Sequence, residues 1–471
     1  MAKQLYDFGM VGLGVMGRNF LLNVADNGFS IIGLDTNKEQ VQALEEEAAG
    51  KVVKATTDMK TFVASLKAPR KIMLLVPAGK VVDIVIDGLL KHLKPGDLII
   101  DGGNSFFPDT DRRLAALKEK KIQFLGVGVS GGAKGARFGP SIMPGGSKKA
   151  YNQVKKILEA VSAKVNGEPC VAYMGKGSAG NYVKMVHNGI EYAMMQLIAE
   201  SYDILKNIGG LNNEEIQKAF AKYNKGRLKS FLVEITAEIF KQKDDIGRGL
   251  LIDKILDKAK QKGTGKWTSQ NAMDFGIPVP TIDAAVTMRG ISSQKDERVA
   301  ASKILSVKGT KGKVDKTKLV KAVGDALYFS FITAYAQGMA LLTDASEEKK
   351  YGLDMEATAR IWRGGCIIRA VLLEDIRKAY SSNENLANLM VDPTFAGYLK
   401  KTHKATRTII KQAIDAGVPT LSLSASLAYF DAYRDDRLPL NLTQAQRDHF
   451  GSHTYERTDK EGKFHTEWGD S

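Results

Sequence analysis

In the stretch Lys184-Met185-Val186-His187-Asn188-Gly189-Ile190-Glu191-Tyr192 the polar side chains recur at i, i+3, i+4 and i+7. On a helix this spacing puts Lys184, His187, Asn188 and Glu191 on one face, while Met185, Val186 and Ile190 turn toward an apolar core. A potential base and a potential acid two turns apart on a rigid rod, with an imidazole and an amide between them, can grip a hydroxylated acid and relay its protons. Lysine is a poor base at its ordinary pKa of about 10.4, and burial or nearby positive charge brings it down. The competing reading is a solvent-facing Lys/Glu helix with structural His and Asn, because polar helix faces usually meet water.

A second group of residues points to a dinucleotide. Gly12-Leu13-Gly14-Val15-Met16-Gly17 follows an apolar run directly and opens a helical pattern. The first glycine permits a tight turn, the second lets backbone N–H groups approach a pyrophosphate, and the third allows close helix packing. Asp35 closes the next apolar run about 20 residues later, where a carboxylate accepts hydrogen bonds from the adenosine ribose and repels a 2′-phosphate. In Asp35-Thr36-Asn37-Lys38 only Lys38 offers compensating charge, so the cofactor expected is NAD in preference to NADP. Asp101-Gly102-Gly103-Asn104-Ser105 and Gly128-Val129-Ser130-Gly131-Gly132 end two further runs with Gly, Asn and Ser, which suit ligand contact and ordinary turns alike.

The elements that must position these groups follow from periodicity. Short apolar runs at 8–11, 31–34, 72–76, 98–100 and 124–127 alternate with amphipathic stretches, as in parallel strands joined by helical crossovers. The fold expected is therefore a doubly wound α/β Rossmann sheet, with its ligand at the carboxyl ends of the strands. After Gly175-Lys176-Gly177 helical periodicity dominates, with helices predicted over 181–206, 214–240 and 319–342. The organisation read from the chain is a dinucleotide domain at 1–178, an all-helical domain at 179–440, and a polar tail at 441–471 that cannot form a core and docks on another surface.

Composition removes other classes. Two cysteines, Cys170 and Cys366, cannot make a disulfide framework or a four-cysteine zinc site. The start of the chain lacks the pattern of a secretory leader, and no run reaches about 18 unbroken apolar residues, so a soluble cytoplasmic protein with no membrane role is expected. A net charge of +15, from 68 Lys and Arg against 53 Asp and Glu, attracts polyanions in general. The lysine-rich stretches 254–266 and 303–321 lack the interleaved aromatics of a base-stacking platform.

Taken in order, these motifs resemble the decarboxylating 6-phosphogluconate dehydrogenases of the pentose phosphate pathway, in their long-chain form, over essentially the whole length. The resemblance is carried by the Gly12 fingerprint, Asp101–Ser105, Ser130-Gly131-Gly132, Gly139-Pro-Ser-Ile-Met-Pro-Gly-Gly146 and the Lys184 helix. Gln261-Lys-Gly-Thr-Gly-Lys-Trp267, Lys295-Asp-Glu-Arg298 and Arg447-Asp-His-Phe-Gly-Ser-His453 complete it. It implies NAD(P)-linked oxidation of the C3 hydroxyl of 6-phosphogluconate, then loss of C1 as CO2 to give ribulose 5-phosphate, with no metal. The residue matching Lys184 takes the hydroxyl proton and assists decarboxylation, and that matching Glu191 protonates the enediol. Substrate contacts are implied at Asn104, Ser130, Gly131, Gly132, His187 and Asn188, with Tyr192, Lys262 and Arg289 at the sugar phosphate. Cofactor contacts are implied at Gly12, Leu13, Gly14, Val15, Met16, Gly17, Asp35, Thr36, Asn37, Val76, Pro77, Ala78 and Asn104. Arg447 and His453 match residues that reach a neighbouring subunit, so a homodimer with shared sites is expected, and nucleic acid is not required.

The chain departs from the family pattern in two places. Ala133 and Lys134 stand where two glutamates are usual, the first of them a substrate contact. Asp35-Thr36-Asn37 replaces the Asn-Arg-Thr of NADP-dependent relatives, and Pro77 replaces a lysine, which agrees with NAD. Two rival readings stay open: a related β-hydroxyacid dehydrogenase acting on another sugar acid, or a catalytically weak protein that binds anions or RNA.

Overall fold

A computed structural model describes residues 4–48, 50–307, 309–310 and 312–469. Seven strands form one sheet: β1 (Phe8–Val11), β2 (Ile31–Leu34), β3 (Val53–Thr56), β4 (Lys71–Leu74), β5 (Leu98–Asp101), β6 (Gln123–Ser130) and β7 (Ser141–Gly146). Their order is β3-β2-β1-β4-β5-β6-β7. The first six run parallel, and β7 lies antiparallel to β6 with Ser130 opposite Ser141. This is the Rossmann order with one strand added, and the strand order reverses between β1 and β4, where the crevice for a ligand opens.

Apolar side chains cover both faces of the sheet. Phe8, Met10, Phe20, Leu125 and Val154 form one core, and Ile32, Phe62, Ile72, Ile99 and Phe124 form the other. Burial on both sides is why the central strands read as continuous apolar runs. The sheet is mixed where a parallel one was expected, and β3 and β7 were not anticipated. β7 carries Pro144, Gly145 and Gly146, residue types that ordinarily argue against a strand. Here close packing requires the glycines: a Cβ on Gly145 would stand 2.2 Å from the Gly180 nitrogen.

Beyond the sheet the unit is helical. Ala179–Asn207 packs against Lys316–Glu348, which in turn packs against Pro393–Ala416. The most apolar window of Lys316–Glu348 is long enough to cross a membrane, but 89% of it is buried inside the protein. The single helix expected over 214–240 is two, Asn213–Tyr223 and Phe231–Ile239, separated by turns around Gly226. Each half starts at its own cap, Asn212 in a capping box with Glu215 and Ser230 accepting from the Val233 N–H.

The chain divides into two compact units, one ending at Ser426 and one beginning at Leu427. The second contains the helix Leu440–Gly451 and a hairpin pairing Tyr455–Glu456 with Lys463–Phe464. Beyond Tyr429, Asp448 is its one buried residue among the described residues.

Candidate active site

A seam of glycines sets the position of the helix Ala179–Asn207. A Cβ on Gly180 would stand 2.3 Å from the carbonyl oxygens of Gly126 and Met143, and one on Gly128 would stand 2.4 Å from the Lys184 Cβ. Contacts this close leave room only for hydrogen, so the first turns of the helix lie directly on the backbone of β6 and β7. Lys184 is thereby pressed against β6 two residues before Ser130.

Three of the four residues on the polar face do not meet water, and Glu191 is half-buried. Lys184 is 7% exposed, His187 0% and Asn188 7%, which overturns the solvent-facing reading of this helix. Asn188 Oδ1 lies 3.0 Å from His187 Nδ1, and because that oxygen only accepts, Nδ1–H donates to it. Nε2 is then the acceptor for the Ser130 hydroxyl at 3.3 Å. The Glu191 carboxylate stands 3.9 Å from Nδ1. Burial, reinforced by the charge of Lys184, holds His187 well below the usual imidazole pKa and so neutral.

Lys184 and Glu191 are pushed in opposite directions. Burial lowers the Lys184 pKa, against the pull of Glu191 and the Cys366 thiol. Burial raises that of Glu191, against Lys184 and Arg289. An amine driven toward its neutral form and a carboxyl driven toward its protonated form are what a base and an acid need near neutral pH.

Two loops shape the space above this face. Gly131 (φ +122°) approaches the Gly365 carbonyl so closely that a Cβ would stand 2.6 Å from it, whereas Gly132 (φ +62°) faces open space. The Trp362 ring centroid lies 5.7 Å from that of His187, edge to face. The Cys366 thiol donates to the Trp362 carbonyl at 3.0 Å, and burial pushes its pKa up to about 12. Sequence reasoning missed this segment; its one signal was the Gly364-Gly365 doublet between a tryptophan and a cysteine.

One turn further along the helix, the guanidinium of Arg289 stacks 4.5 Å from the centroid of the buried Tyr192 ring. Arg289 Nη1 donates to the Lys260 carbonyl at 3.0 Å, and Gly265 packs under Tyr192. Tyr192, Arg289 and the segment 260–265 therefore converge, with Lys262 exposed within it. Ala133 and Lys134 are exposed on the short helix Gly132–Phe138.

At the β1–β4 crevice the residues fit a dinucleotide. Gly12 (φ +93°) turns beneath the Leu75 carbonyl, and a Cβ on Gly17 would fall 1.9 Å from the Gly12 oxygen. A Cβ on Gly14 meets nothing within 4 Å, and the helix Val15–Asp26 begins there without a side-chain cap. Its first N–H groups are therefore available to an anion. Leu13, Val15 and Met16 complete the turn. Asp35 accepts the Leu13 N–H on Oδ2 at 2.7 Å and the Asn37 N–H on Oδ1 at 2.9 Å. Thr36, Asn37, Pro77 and Ala78 are exposed beside it and Val76 is half-buried.

Asn104 is exposed at the end of β5 on a loop organised by Asp101, which accepts from Gly103 N at 3.1 Å and Ser105 Oγ at 2.7 Å. Arg113, 2% exposed, donates to Asp101 at 3.3 Å, to Asp83 at 2.8 Å and to the Gly79 carbonyl at 3.0 Å. It ties the loop after β4 to the loop after β5, a link between distant segments that sequence reasoning did not find. Arg447 and His453 both lie exposed in the second unit. No three His, Cys, Asp or Glu side chains gather as a metal site among the described residues.

Comparison with known proteins agrees with this geometry. Residues 7–191 match the NAD binding domain of 6-phosphogluconate dehydrogenase, and residues 180–468 match its C-terminal domain. The chain is 52% identical over 469 residues to the NADP(+)-dependent, decarboxylating 6-phosphogluconate dehydrogenase of Bacillus subtilis, covering 99% of this chain and 100% of that one. It is 52% identical over 470 residues to the chloroplastic decarboxylating enzyme 3 of Arabidopsis thaliana, covering 98% and 96%. The 6-phosphogluconate dehydrogenase of Plasmodium falciparum, solved apo, with NADP+ and with 6-phosphogluconate, superposes with a TM-score of 0.95 at 47% identity over 98% of this chain and 100% of that chain. A nicotinamide-dependent oxidoreductase on a Rossmann sheet followed by a helical region, this chain belongs to the 6-phosphogluconate dehydrogenase family.

Proposed function

We propose that the protein oxidises 6-phosphogluconate at C3 and decarboxylates the product to ribulose 5-phosphate and CO2. The observation that carries this reading is the pair formed by buried Lys184 and half-buried Glu191, two turns apart on one face and driven toward opposite protonation states. Lys184 Nζ, driven by burial toward its neutral form, accepts the C3 hydroxyl proton. A nicotinamide dinucleotide held at Gly12–Gly17 would supply the acceptor for the hydride from C3. The resulting ammonium of Lys184 then faces the new carbonyl oxygen and stabilises the negative charge that gathers there as the C1–C2 bond breaks. That ammonium returns its proton to the oxygen, giving the enediol; Glu191 then delivers a proton to C1 while Lys184 recovers the hydroxyl proton as the ketone forms, and passage of that proton from Lys184 to Glu191 restores both groups. His187, neutral and locked between Asn188 and Ser130, orients substrate hydroxyls without adding charge. In this reading the Lys184 ammonium supplies the charge stabilisation, and the reaction runs without a metal.

Asn104, Ser130, Gly131 and Gly132 line the sugar acid, and Tyr192, Lys262 and Arg289 hold its phosphate. Gly12–Gly17, Asp35–Asn37 and Val76–Ala78 hold the dinucleotide. Asp35, fixed by two backbone N–H groups, points the preference to NAD. The divisions at 178 and 440 part a dinucleotide domain, which also lends Asn104 and 130–132 to the sugar acid, from a helical substrate domain and from the tail. The tail carries Arg447 and His453 to the site of a second copy, making the working form a homodimer. Exposed Ile304 (82%) and Val307 (89%) support association. The basic surface serves small anionic ligands in the cytoplasm rather than nucleic acid or a membrane.

The test is reduction of NAD and of NADP in parallel with CO2 release. One CO2 per reduced nucleotide is expected, with Lys184→Ala reducing kcat by about 10²–10⁴-fold while cofactor affinity holds. Wild-type turnover in Lys184→Ala removes it from the mechanism. Turnover on another sugar acid but not on 6-phosphogluconate assigns the exposed Ala133 and Lys134 a change of substrate.

A further inference from the structure

The second unit is built around a charge. Asp448 is fully buried although its neighbours Arg447 and His449 are exposed. Its carboxylate gathers four donors from two segments of chain. Oδ1 accepts from the Thr454 N–H at 2.9 Å and from His465 Nδ1 at 2.9 Å. Oδ2 accepts from the Thr466 N–H at 3.1 Å and from Trp468 Nε1 at 2.8 Å. The Asp448 carbonyl also accepts the Ser452 N–H at 2.9 Å, closing the helix. A buried carboxylate with each oxygen doubly occupied is stable as an anion and directional in a way that apolar packing is not.

What those bonds hold is a strained turn. Ser452 (φ +48°) and Thr454 (φ +60°) both sit in the left-handed region, which a β-branched residue such as threonine rarely enters. The turn carries His453, whose ring lies against Gly451 and 5.9 Å from the Phe450 ring. Gln444 links the turn to the other functional side chain: its Nε2 donates to the Thr454 carbonyl, and its Oε1 accepts from Arg447 Nη1 at 3.1 Å. Asp448 thus governs both the turn that bears His453 and the acceptor that holds Arg447.

We propose that Asp448 is the positioning residue of the C-terminal arm, fixing the turn 451–454 so that Arg447 and His453 are presented together to the sugar-acid site of a second copy. The inference rests on the reading in which those two side chains touch substrate. Asp448 itself, turned inward and saturated, touches none.

The experiment uses the full-length dimer and 6-phosphogluconate. Asp448→Asn keeps the shape but puts an amide donor among four donors. It should raise the KM for 6-phosphogluconate by roughly tenfold, with cofactor KM within about twofold and the dimer intact. Arg447→Ala should raise the same KM, and the double variant Arg447→Ala/Asp448→Asn should be no more than about twofold worse than Arg447→Ala alone, because the two act through one contact. Thr454→Gly, which accepts the left-handed turn freely, should recover part of the loss in Asp448→Asn. Should Asp448→Asn not fold, His465→Ala removes a single donor and should still raise the KM by about threefold. An unchanged KM in Asp448→Asn beside a raised one in Arg447→Ala overturns the positioning role and leaves the arm reading standing. An unchanged KM in Arg447→Ala overturns both. Equal loss of substrate and cofactor affinity, or additive effects in the double variant, marks Asp448 as a general stabiliser and also overturns the proposal.

Discussion

Replacing Gly128 by alanine tests whether the seam between β6 and the helix Ala179–Asn207 sets the chemistry. The new methyl would lie 2.4 Å from the Lys184 Cβ, 3.0 Å from its Cγ and 3.1 Å from the Gly180 carbonyl. Non-bonded carbons settle at about 3.5–4.0 Å, so the helix and strand must separate by about 1 Å or Lys184 must leave its rotamer. Overpacking of this kind costs about 1–3 kcal/mol of stability. A displacement of about 1 Å at a reacting group costs on the order of 10²-fold in rate. The dinucleotide turn at Gly12–Gly17 follows β1, three strands away, and does not share the seam. Gly128→Ala is therefore expected to lower kcat by about 10²-fold, with the KM for cofactor held within about threefold. Gly397→Ala serves as the control, since a Cβ there meets nothing within 4 Å and its position inside the helix Pro393–Ala416 favours alanine by about 0.5–1 kcal/mol. Steady-state kinetics and thermal melts on both variants decide the matter. Wild-type kcat in a folded Gly128→Ala would refute the claim that this contact places Lys184.

The other expectations concern charge. Asp35→Asn removes the negative charge and leaves one oxygen for the two N–H groups of Leu13 and Asn37; the kcat/KM ratio of NAD to NADP should fall by about tenfold, and an unchanged ratio would sink the assignment of specificity to Asp35. Glu200, buried in the central helix, accepts the N–H groups of Ser422 and Leu423 at 2.9 Å each; Glu200→Ala should cost about 2–3 kcal/mol by chemical denaturation, and a loss under 0.5 kcal/mol would show that water replaces it. In the arm, burial opposes the ionisation of Asp448, but His465, Trp468, Thr466 and Thr454 outweigh it and lower its pKa, while Asp448 raises that of His465. The Asp448 contribution is full above the ordinary carboxylate pKa and is lost as pH falls through its lowered value. The His465 contribution is full below about pH 6.5 and is lost as pH rises through its raised value. Hydrogen exchange in residues 452–468 should therefore show greatest protection, after correction for intrinsic rates, between about pH 4.5 and 6.5, and protection rising steadily above that range would contradict the pairing.

Much of this is legible in the amino-acid sequence. Phe8–Val11 and Ile31–Leu34 fall where the apolar runs end at Gly12 and Asp35, because a strand buried on both faces must be apolar throughout and its carboxyl end must turn. The i, i+3, i+4, i+7 spacing put Lys184, His187, Asn188 and Glu191 on one face by helical geometry alone. Whether that face met water was not legible, because burial depends on what packs above it. Trp362 and Cys366 come from a segment about 180 residues away, and no local pattern ties them to His187 or Lys184.

The same division runs through the rest of the molecule. Residue types with a short-range conformational demand, the glycines of the fingerprint and the period of the central helix, declare themselves in the chain because their reasons are local. β7 stayed hidden since Pro144, Gly145 and Gly146 oppose a strand locally, while the backbone of Gly180 and Phe124 requires the two glycines. Arg113 and Asp448 look like surface charges in the sequence and are 2% and 0% exposed in the fold. A charge is buried only where partners from distant segments converge on it, and that convergence is a property of the packed molecule.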